Sequence, residues 1–138
     1  MTMNAVAFDI MTLLNDNIAG LTTAQNLFAN MWGHLNGQEI DQQLLVVDSE
    51  GITSPLKDAW EQPVFQILTR GNKGADTLDA YNVMREVHEF LISQPEVVLI
   101  NGCQYLGFEP QGTIAPLGRD ENDRMVYSMR YYSYRNPI

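Results

Sequence analysis

Apolar residues recur every three or four positions in two segments of the chain, and this spacing predicts two helices. The first helix spans residues 4–17, and Gly20 follows it as a stop signal. The second begins at Asp76 or Thr77, either of which can cap it, and Pro95 ends it. The apolar positions of the first are Val6, Ile10, Leu13, Leu14 and Ile18, and those of the second are Leu78, Tyr81, Met84, Val87, Phe90 and Leu91.

Strand patterns occupy the middle of the chain. Residues 44–47 are a compact run of leucine and valine that predicts a strand entering a turn at Asp48. Pro63 opens a second strand over residues 64–70, whose side chains alternate between two faces. We expect this strand to be central in a sheet. An apolar cluster at residues 25–32 has no clear period, so a short strand is one interpretation there.

Two more strands are predicted in the last third of the chain. Residues 97–100 are apolar, and their continuation past Asn101 and Gly102 indicates a hairpin or a bulged bend. Residues 124–134 alternate between apolar or aromatic and polar side chains, which is strand periodicity. We expect this last strand to pair antiparallel with its predecessor.

The order of these elements predicts an α+β fold. It consists of a mainly antiparallel or mixed sheet with the helices packed on one face, as a single two-layer domain over residues 1–138. The hydrophobic fraction of 45% and the charged fraction of 18% are ordinary for a globular protein. The amino terminus lacks a basic region and Asp9 interrupts its apolar stretch, so we expect no secretory signal and no membrane span.

The charge balance argues against stable binding to nucleic acid. The chain has 17 acidic and 8 basic side chains, a formal charge of −9, whereas a phosphate backbone attracts clustered lysine and arginine. Acidity that only confers solubility and a surface that lets DNA slide past are both consistent with this balance.

The residues that usually carry catalysis are sparse. His34 and His88 lie far apart on different predicted elements, without triad or metal-ligand spacing. The single Cys103 rules out an intrachain disulfide, and we expect it to be a half-buried apolar residue. We therefore predict that the protein is not an enzyme and has no cofactor or metal.

Two polar loops have weak motif character. The Arg70–Gly74 loop follows a strand but lacks the spacing of a phosphate-binding loop. The acidic residues within Gly118–Arg124 do not fall at the spacing of a calcium loop, and a solvated turn between two strands is the better interpretation.

Three short pieces, taken in order, resemble the tail terminator family of long-tailed bacteriophages. They are residues 26–28 (Asn-Leu-Phe), 61–70 (Glu-Gln-Pro-Val-Phe-Gln-Ile-Leu-Thr-Arg) and 117–124 (Leu-Gly-Arg-Asp-Glu-Asn-Asp-Arg). As in that family, the middle piece precedes a short loop and an amphipathic helix, and the last piece precedes a terminal strand. One departure lies at Asn30–Gly37, where the family often has a Gly-x-x-Pro-like turn.

The resemblance implies a structural virion protein. Such a protein caps the head-proximal end of the tail tube as a hexameric ring, ends tube polymerisation and offers a docking surface to the head. Its implied partners are other copies of itself, the tail tube protein and a head-completion or neck protein, while DNA passes through the ring without stable binding. The implied location is the virion, with assembly in the host cytoplasm.

Polar loops that do not serve the core are natural places for the axial contacts of a ring. The candidate contact residues are therefore on the two polar loops: Arg70, Asn72, Lys73, Arg119, Asp120, Glu121 and Arg124. Two alternatives to the tail terminator stay open. One is a head-completion protein on the portal side of the neck, and the other is a small bacterial enzyme or ligand-binding domain, which would have a concave pocket with convergent titratable groups.

Overall fold

A computed structural model describes residues 5–35, 38–53, 61–74 and 78–137. The elements, in chain order, are α1 (Val6–Asn17), β1 (Leu27–Ala29), β2 (His34–Leu35), β3 (Gln38–Glu39), β4 (Gln43–Thr53), β5 (Glu61–Arg70), α2 (Leu78–Ile92), β6 (Val98–Ile100), β7 (Cys103–Tyr105), β8 (Glu109–Pro110), β9 (Ala115–Arg119), β10 (Met125–Tyr132) and β11 (Arg135–Pro137).

Both predicted helices are confirmed. The cap at the start of α1 is supplied from the sheet, because Ala5 at the N-cap position has no side chain that could accept a hydrogen bond. Instead, the backbone N–H of Ala7 donates to Asp48 Oδ1 of β4 over 2.8 Å. The caps predicted for α2, Asp76 and Thr77, lie outside the described residues.

Strand β5 is central, as predicted. It pairs antiparallel with β4 on one side and with β10 on the other, and β11 pairs with its first residue. The sheet is mixed because β1 runs parallel to β4, whereas the other pairings are antiparallel. The small β2–β3 pair forms a separate antiparallel sheet. The α+β class is thus confirmed, and the extent of a single domain over residues 1–138 stays a prediction.

Alternation along β5 separates its two faces. Phe65, Ile67 and Thr69 are buried, and the register places them beside residues of β4 and β10 that have the same orientation. Phe65 stacks on Tyr131 of β10, and Thr69 Oγ1 donates to the Ala80 carbonyl of α2 over 2.9 Å. Side chains of α1 and α2 belong to the same apolar core as this face. The two-layer arrangement with both helices on one face stays a prediction.

The turn predicted at Asp48 is wrong, because β4 continues to Thr53. Asp48 and Ser49 remain paired with β5, and the register shifts only between Ser49 and Ile52. Asp48 has the polarity of a turn residue, but its carboxylate caps α1 and also accepts a hydrogen bond from Asn30 Nδ2 at 2.8 Å.

Pro63 lies inside β5 rather than at its start. It falls opposite the register shift of β4, since Ser49 faces Val64 and Ile52 faces Gln62. A bulge is a place where a strand tolerates proline, which has no N–H for the ladder.

The pairing of the last predicted strand differs in part from expectation. Its longest partner is β5 rather than its predecessor in the sequence. It also pairs antiparallel with β8 and β9, and β11 pairs with β7. The hairpin predicted at Asn101–Gly102 is confirmed: both residues have positive φ, at 48° and 80°, as a two-residue type I′ turn requires.

Cys103 is fully rather than half buried, with 1% of its surface exposed. It lies in β7, facing the core. Burial raises the pKa of its thiol, and the nearby Asp9 carboxylate adds to this effect. Both effects make Cys103 an unreactive packing residue.

We expect Asp48→Ala to lower the free energy of unfolding by about 1–2 kcal/mol, because the first turn of α1 loses its acceptor and Asn30 loses a partner. Chemical denaturation followed by circular dichroism measures this change. Asp16→Ala, which removes the same charge from an exposed position of α1, is the control. Equal stability of the two variants would contradict the cap.

Candidate functional site

The structure brings the two predicted polar loops together at one end of the sheet. The backbone N–H of Gly71 donates to the Met125 carbonyl at 3.0 Å, and that of Gly74 donates to the Asp123 carbonyl at 2.9 Å. The loop after β5 and the turn between β9 and β10 are therefore one continuous surface, which we call the loop surface (residues 70–74 and 119–124).

Arg70 is not an exposed loop residue, since only 2% of its surface is accessible. Its guanidinium donates to the carbonyls of Asp41 and Ile40, at 3.0 and 2.6 Å. It also lies 4.2 Å from the centre of the Trp32 ring, within the range of a cation–π interaction. Arg70 thus fastens the segment before β4 onto the sheet.

Arg124 is also buried, with 3% of its surface exposed, so this end of the predicted solvated turn is not solvated. Its Nε donates to Asp120 Oδ2 at 2.9 Å, and its Nη1 lies 3.2 Å from Asp41 Oδ1. Asp41 therefore connects Arg124 to the segment that Arg70 holds. The side chains of Arg70 and Arg124 therefore point inward and hold the two loops to residues 40 and 41.

Asp120 organises the turn between β9 and β10. Its Oδ1 accepts hydrogen bonds from the backbone N–H groups of Asn122 and Arg124, at 2.9 and 3.0 Å. Partial burial opposes ionisation of Asp120, but these backbone bonds and the Arg124 guanidinium outweigh it, so the pKa of the carboxyl lies below its ordinary value.

The remaining candidate residues are exposed. Asn72 and Lys73 project from one loop, and Glu121 projects from the other. Arg119 lies beside them in an exposed pair with Asp123, with 3.4 Å between Nη1 and Oδ1. Of the seven predicted residues, these four are placed where a partner can reach them. Contact with a partner stays a prediction.

A buried polar cluster that the sequence did not suggest joins the two ends of the chain. Asp9 of α1 accepts a short hydrogen bond from the Tyr105 hydroxyl and a second one from Asn101 Nδ2 at 3.0 Å. Arg135 Nη1 lies 3.5 Å from Asp9 Oδ2, and its Nη2 lies 2.8 Å from Glu61 Oε1. The cluster thereby links α1, β5, β7 and β11.

This cluster is a tie and not a reaction centre. Burial and the bond to Asp9 raise the pKa of Tyr105, so the phenol stays protonated. Within the described part of the chain, no buried side-chain nitrogen or oxygen lacks a hydrogen-bond partner. The available signal in the sequence was Asp9 itself, a charge at a core-facing position of an amphipathic helix.

Three concave features of the surface have titratable side chains in their linings. A groove of about 750 Å³ lies at the end of α2, with a lining of mixed polarity that includes the carboxylates of Glu96 and Glu109. A cavity of about 130 Å³ near the start of β4 is lined by Arg70, Glu86 and uncharged residues. A third concavity, of about 230 Å³, includes Tyr81, Arg85 and His88, so the enzyme alternative stays open.

The two histidines lie apart, as the sequence indicated. His34 is exposed in β2, whereas His88 Nδ1 lies 2.7 Å from the Tyr131 hydroxyl. Burial lowers the pKa of His88, and the neighbouring Arg85 acts in the same direction. Among the residues that the structure covers, no group of three or more His, Cys, Asp or Glu could hold a metal ion. No helix in the same part is long and apolar enough to cross a membrane.

Comparisons with known proteins identify similar chains. A family model described as "Bacteriophage tail terminator protein" matches residues 34–133, well over half of the chain. A solved structure titled "Virion of native gene transfer agent (GTA) particle" aligns with a TM-score of 0.67, covering 96% of this chain and 98% of that chain. At 8% sequence identity, this likeness establishes the fold alone. No curated protein matches the chain.

We expect Asp120→Asn to make the stability of the protein less dependent on acid pH. Because the folded-state pKa of Asp120 is depressed, its ionisation stabilises the fold above the unfolded pKa of about 4, and this stabilisation is lost as pH falls through the folded pKa. Melting temperatures measured from pH 7 to pH 2 should therefore converge for the two proteins at the acid end. A constant difference across that range would contradict this role of Asp120.

Proposed function

The chain belongs to the bacteriophage tail terminator family, a family of structural tail proteins, and from that premise we propose that it caps the head-proximal end of a tail tube as a hexameric ring. In this role it ends polymerisation of the tube and presents a docking surface to the head. Its partners are other copies of itself, the tail tube protein and a head-completion or neck protein.

The family match over residues 34–133 carries the proposal. The matched region includes the central strand β5, its two neighbours β4 and β10, and both loops of the loop surface. It therefore includes exposed loops as well as buried core strands. The proposed location is the virion, at the end of the tail nearest the head.

Charge supports the passage of DNA without stable binding. Each subunit has a formal charge of −9, and a ring of acidic subunits repels phosphates that pass through it. Arg70, Arg124 and Arg135 are buried, so a passing phosphate cannot reach these three cations.

The exposed part of the loop surface is the proposed site of axial contacts with the tail tube or the neck. Asn72, Lys73, Arg119 and Glu121 offer polar groups of both charge signs there. Beneath them, the two buried arginines and Asp120 hold the loops in place, which lowers the conformational entropy lost on binding.

Charge reversal tests the loop surface. We expect the double variant Lys73→Glu, Glu121→Lys to fold normally and to reduce joining of heads to tails or capping of tubes by about tenfold or more, because favourable charge pairs become repulsive. Infectious particles in a complementation assay measure the loss. Asp16→Lys is the control, since it reverses an exposed charge near the end of α1 that is not part of the loop surface. Asp120 is not reversed in this test because its replacement would disturb the turn. If the double variant assembled as well as the unmodified protein, the loop surface would be removed from the proposal.

Deletion of the gene tests the function as a whole. Electron microscopy of lysates should show tubes much longer than normal that are not joined to heads, because nothing stops polymerisation. Complementation with the intact gene should restore tail length. Tails of normal length beside heads that leak DNA would contradict termination and assign the protein to head completion.

A further inference from the structure

The groove at the end of α2 combines exposed apolar side chains with two carboxylates. Phe108 lies buried in it, whereas Ile92, Val97 and Tyr134 are large apolar side chains exposed to solvent along it. Exposed apolar groups that converge on one concavity are typical of a binding surface. The carboxylates of Glu96 and Glu109 line the same groove, so it favours an apolar segment that also carries a cation.

Strand β9 has the complementary character. All five of its residues are exposed, and Ala115, Pro116 and Leu117 form an apolar run in which Leu117 is 58% exposed. Within the described part of the chain β9 pairs only with β10, so its other edge has no strand beside it. An edge of this kind is available for contact with another chain.

The charge next to this apolar run matches the carboxylates of the groove. Arg119 ends β9, and its Nη1 donates to the Asp123 carbonyl at 3.2 Å beside the exposed ion pair with that residue. Exposed ion pairs contribute little free energy, so the pairing with Asp123 does not prevent Arg119 from also facing a carboxylate of the groove. Because the chain has few basic side chains, a cation next to an exposed apolar run distinguishes β9.

A chain cannot place β9 in its own groove. The strand is held against β10, with Pro116 opposite Tyr127, whereas the groove includes Tyr132 of β10. These two positions on β10 are five residues apart, or about 17 Å at the rise of a β-strand. The two surfaces are therefore separate patches, and their mutual contact between copies is heterologous, the type of contact that closes into a ring.

We propose that β9 of one subunit docks into the groove at the end of α2 of the next subunit, with Leu117 as the anchor and Arg119 facing Glu96 or Glu109. This proposal rests on the proposed ring and identifies the pair of surfaces that form it. It assigns Arg119 to this contact between subunits and leaves the axial contacts to Asn72, Lys73 and Glu121.

Cross-linking between differently tagged subunits tests the pairing. One subunit carries Leu117→Cys and the other Val97→Cys, and both keep the buried Cys103. The two are mixed, assembled on purified tail tubes and treated with a short bis-maleimide. We expect a cross-linked pair of the two tags at a yield about tenfold or more above the control, in which Met31→Cys replaces Val97→Cys. Met31 is a suitable control because it is 73% exposed and precedes Trp32, which contacts Arg70 at the end of β5 opposite the groove.

The results separate this proposal from the proposed function. Rings that form on the tubes without cross-linking above the control would overturn the docking and leave the ring intact. Cross-linking of Leu117→Cys to the tail tube protein instead would also overturn it and assign β9 to the tube. Absence of rings for the unmodified protein, with and without tubes, would overturn the proposed function and the docking together.

A disruptive variant gives a second, independent measurement. We expect Leu117→Asp to raise the subunit concentration needed for half-maximal ring formation by about tenfold or more, since it puts a charge into an apolar contact. The control Met31→Asp should not change that concentration, and both isolated proteins should melt like the unmodified chain because both positions are exposed. Equal effects of the two substitutions on assembly would contradict the proposal.

Discussion

The register of β5 against its two neighbours is the constraint on which the rest of the fold depends. Because side chains alternate along a strand, a slip of one residue would move Phe65 and Ile67 out of the core and turn the other set of side chains inward. Two further features fit only one register of β4 against β5: Pro63 lies opposite the bulge of β4, and Asp48 of β4 caps α1. The first helix is therefore positioned by a residue of the sheet.

Buried charged side chains connect segments of the chain that lie outside the apolar core. Arg70 and Arg124 fasten the loops at one end of the sheet, and Arg135 with Asp9 fastens the two ends of the chain at another place. Replacing one partner of such a group leaves the other charge buried without compensation, which is costly. The carboxylates of Asp41, Asp120, Asp9 and Glu61 compensate the charges of Arg124 and Arg135, so the acidity of the surface comes from the remaining carboxylates.

The sequence predicts the elements better than their ends and partners. The helices follow from a repeat of three to four residues and the Asn101–Gly102 turn from the φ preferences of its residues, so both signals are local. The extension of β4 through Asp48 was not predictable in this way, because Asp48 owes its place to Ala7 and Asn30, which are distant in sequence. The same holds for the candidate site. Polarity located the two loops, but it could not show that Arg70 and Arg124 turn inward, since their partners Ile40 and Asp41 come from another segment.

In the proposed ring, the acidity of the subunits opposes assembly, and this opposition has a structural consequence. Six subunits of formal charge −9 would repel one another, and at physiological salt the repulsion is screened only over distances greater than about 8 Å. A contact between neighbours must therefore be short-ranged and apolar at its centre, with local charge complementarity at its edge. The exposed apolar strand beside Arg119 and the groove with its carboxylates meet both requirements without adding net positive charge to the inner surface of the proposed ring. Because the charge of the whole ring opposes such a contact, we expect it to be weak in dilute solution and to become favourable where a tail tube holds the subunits together.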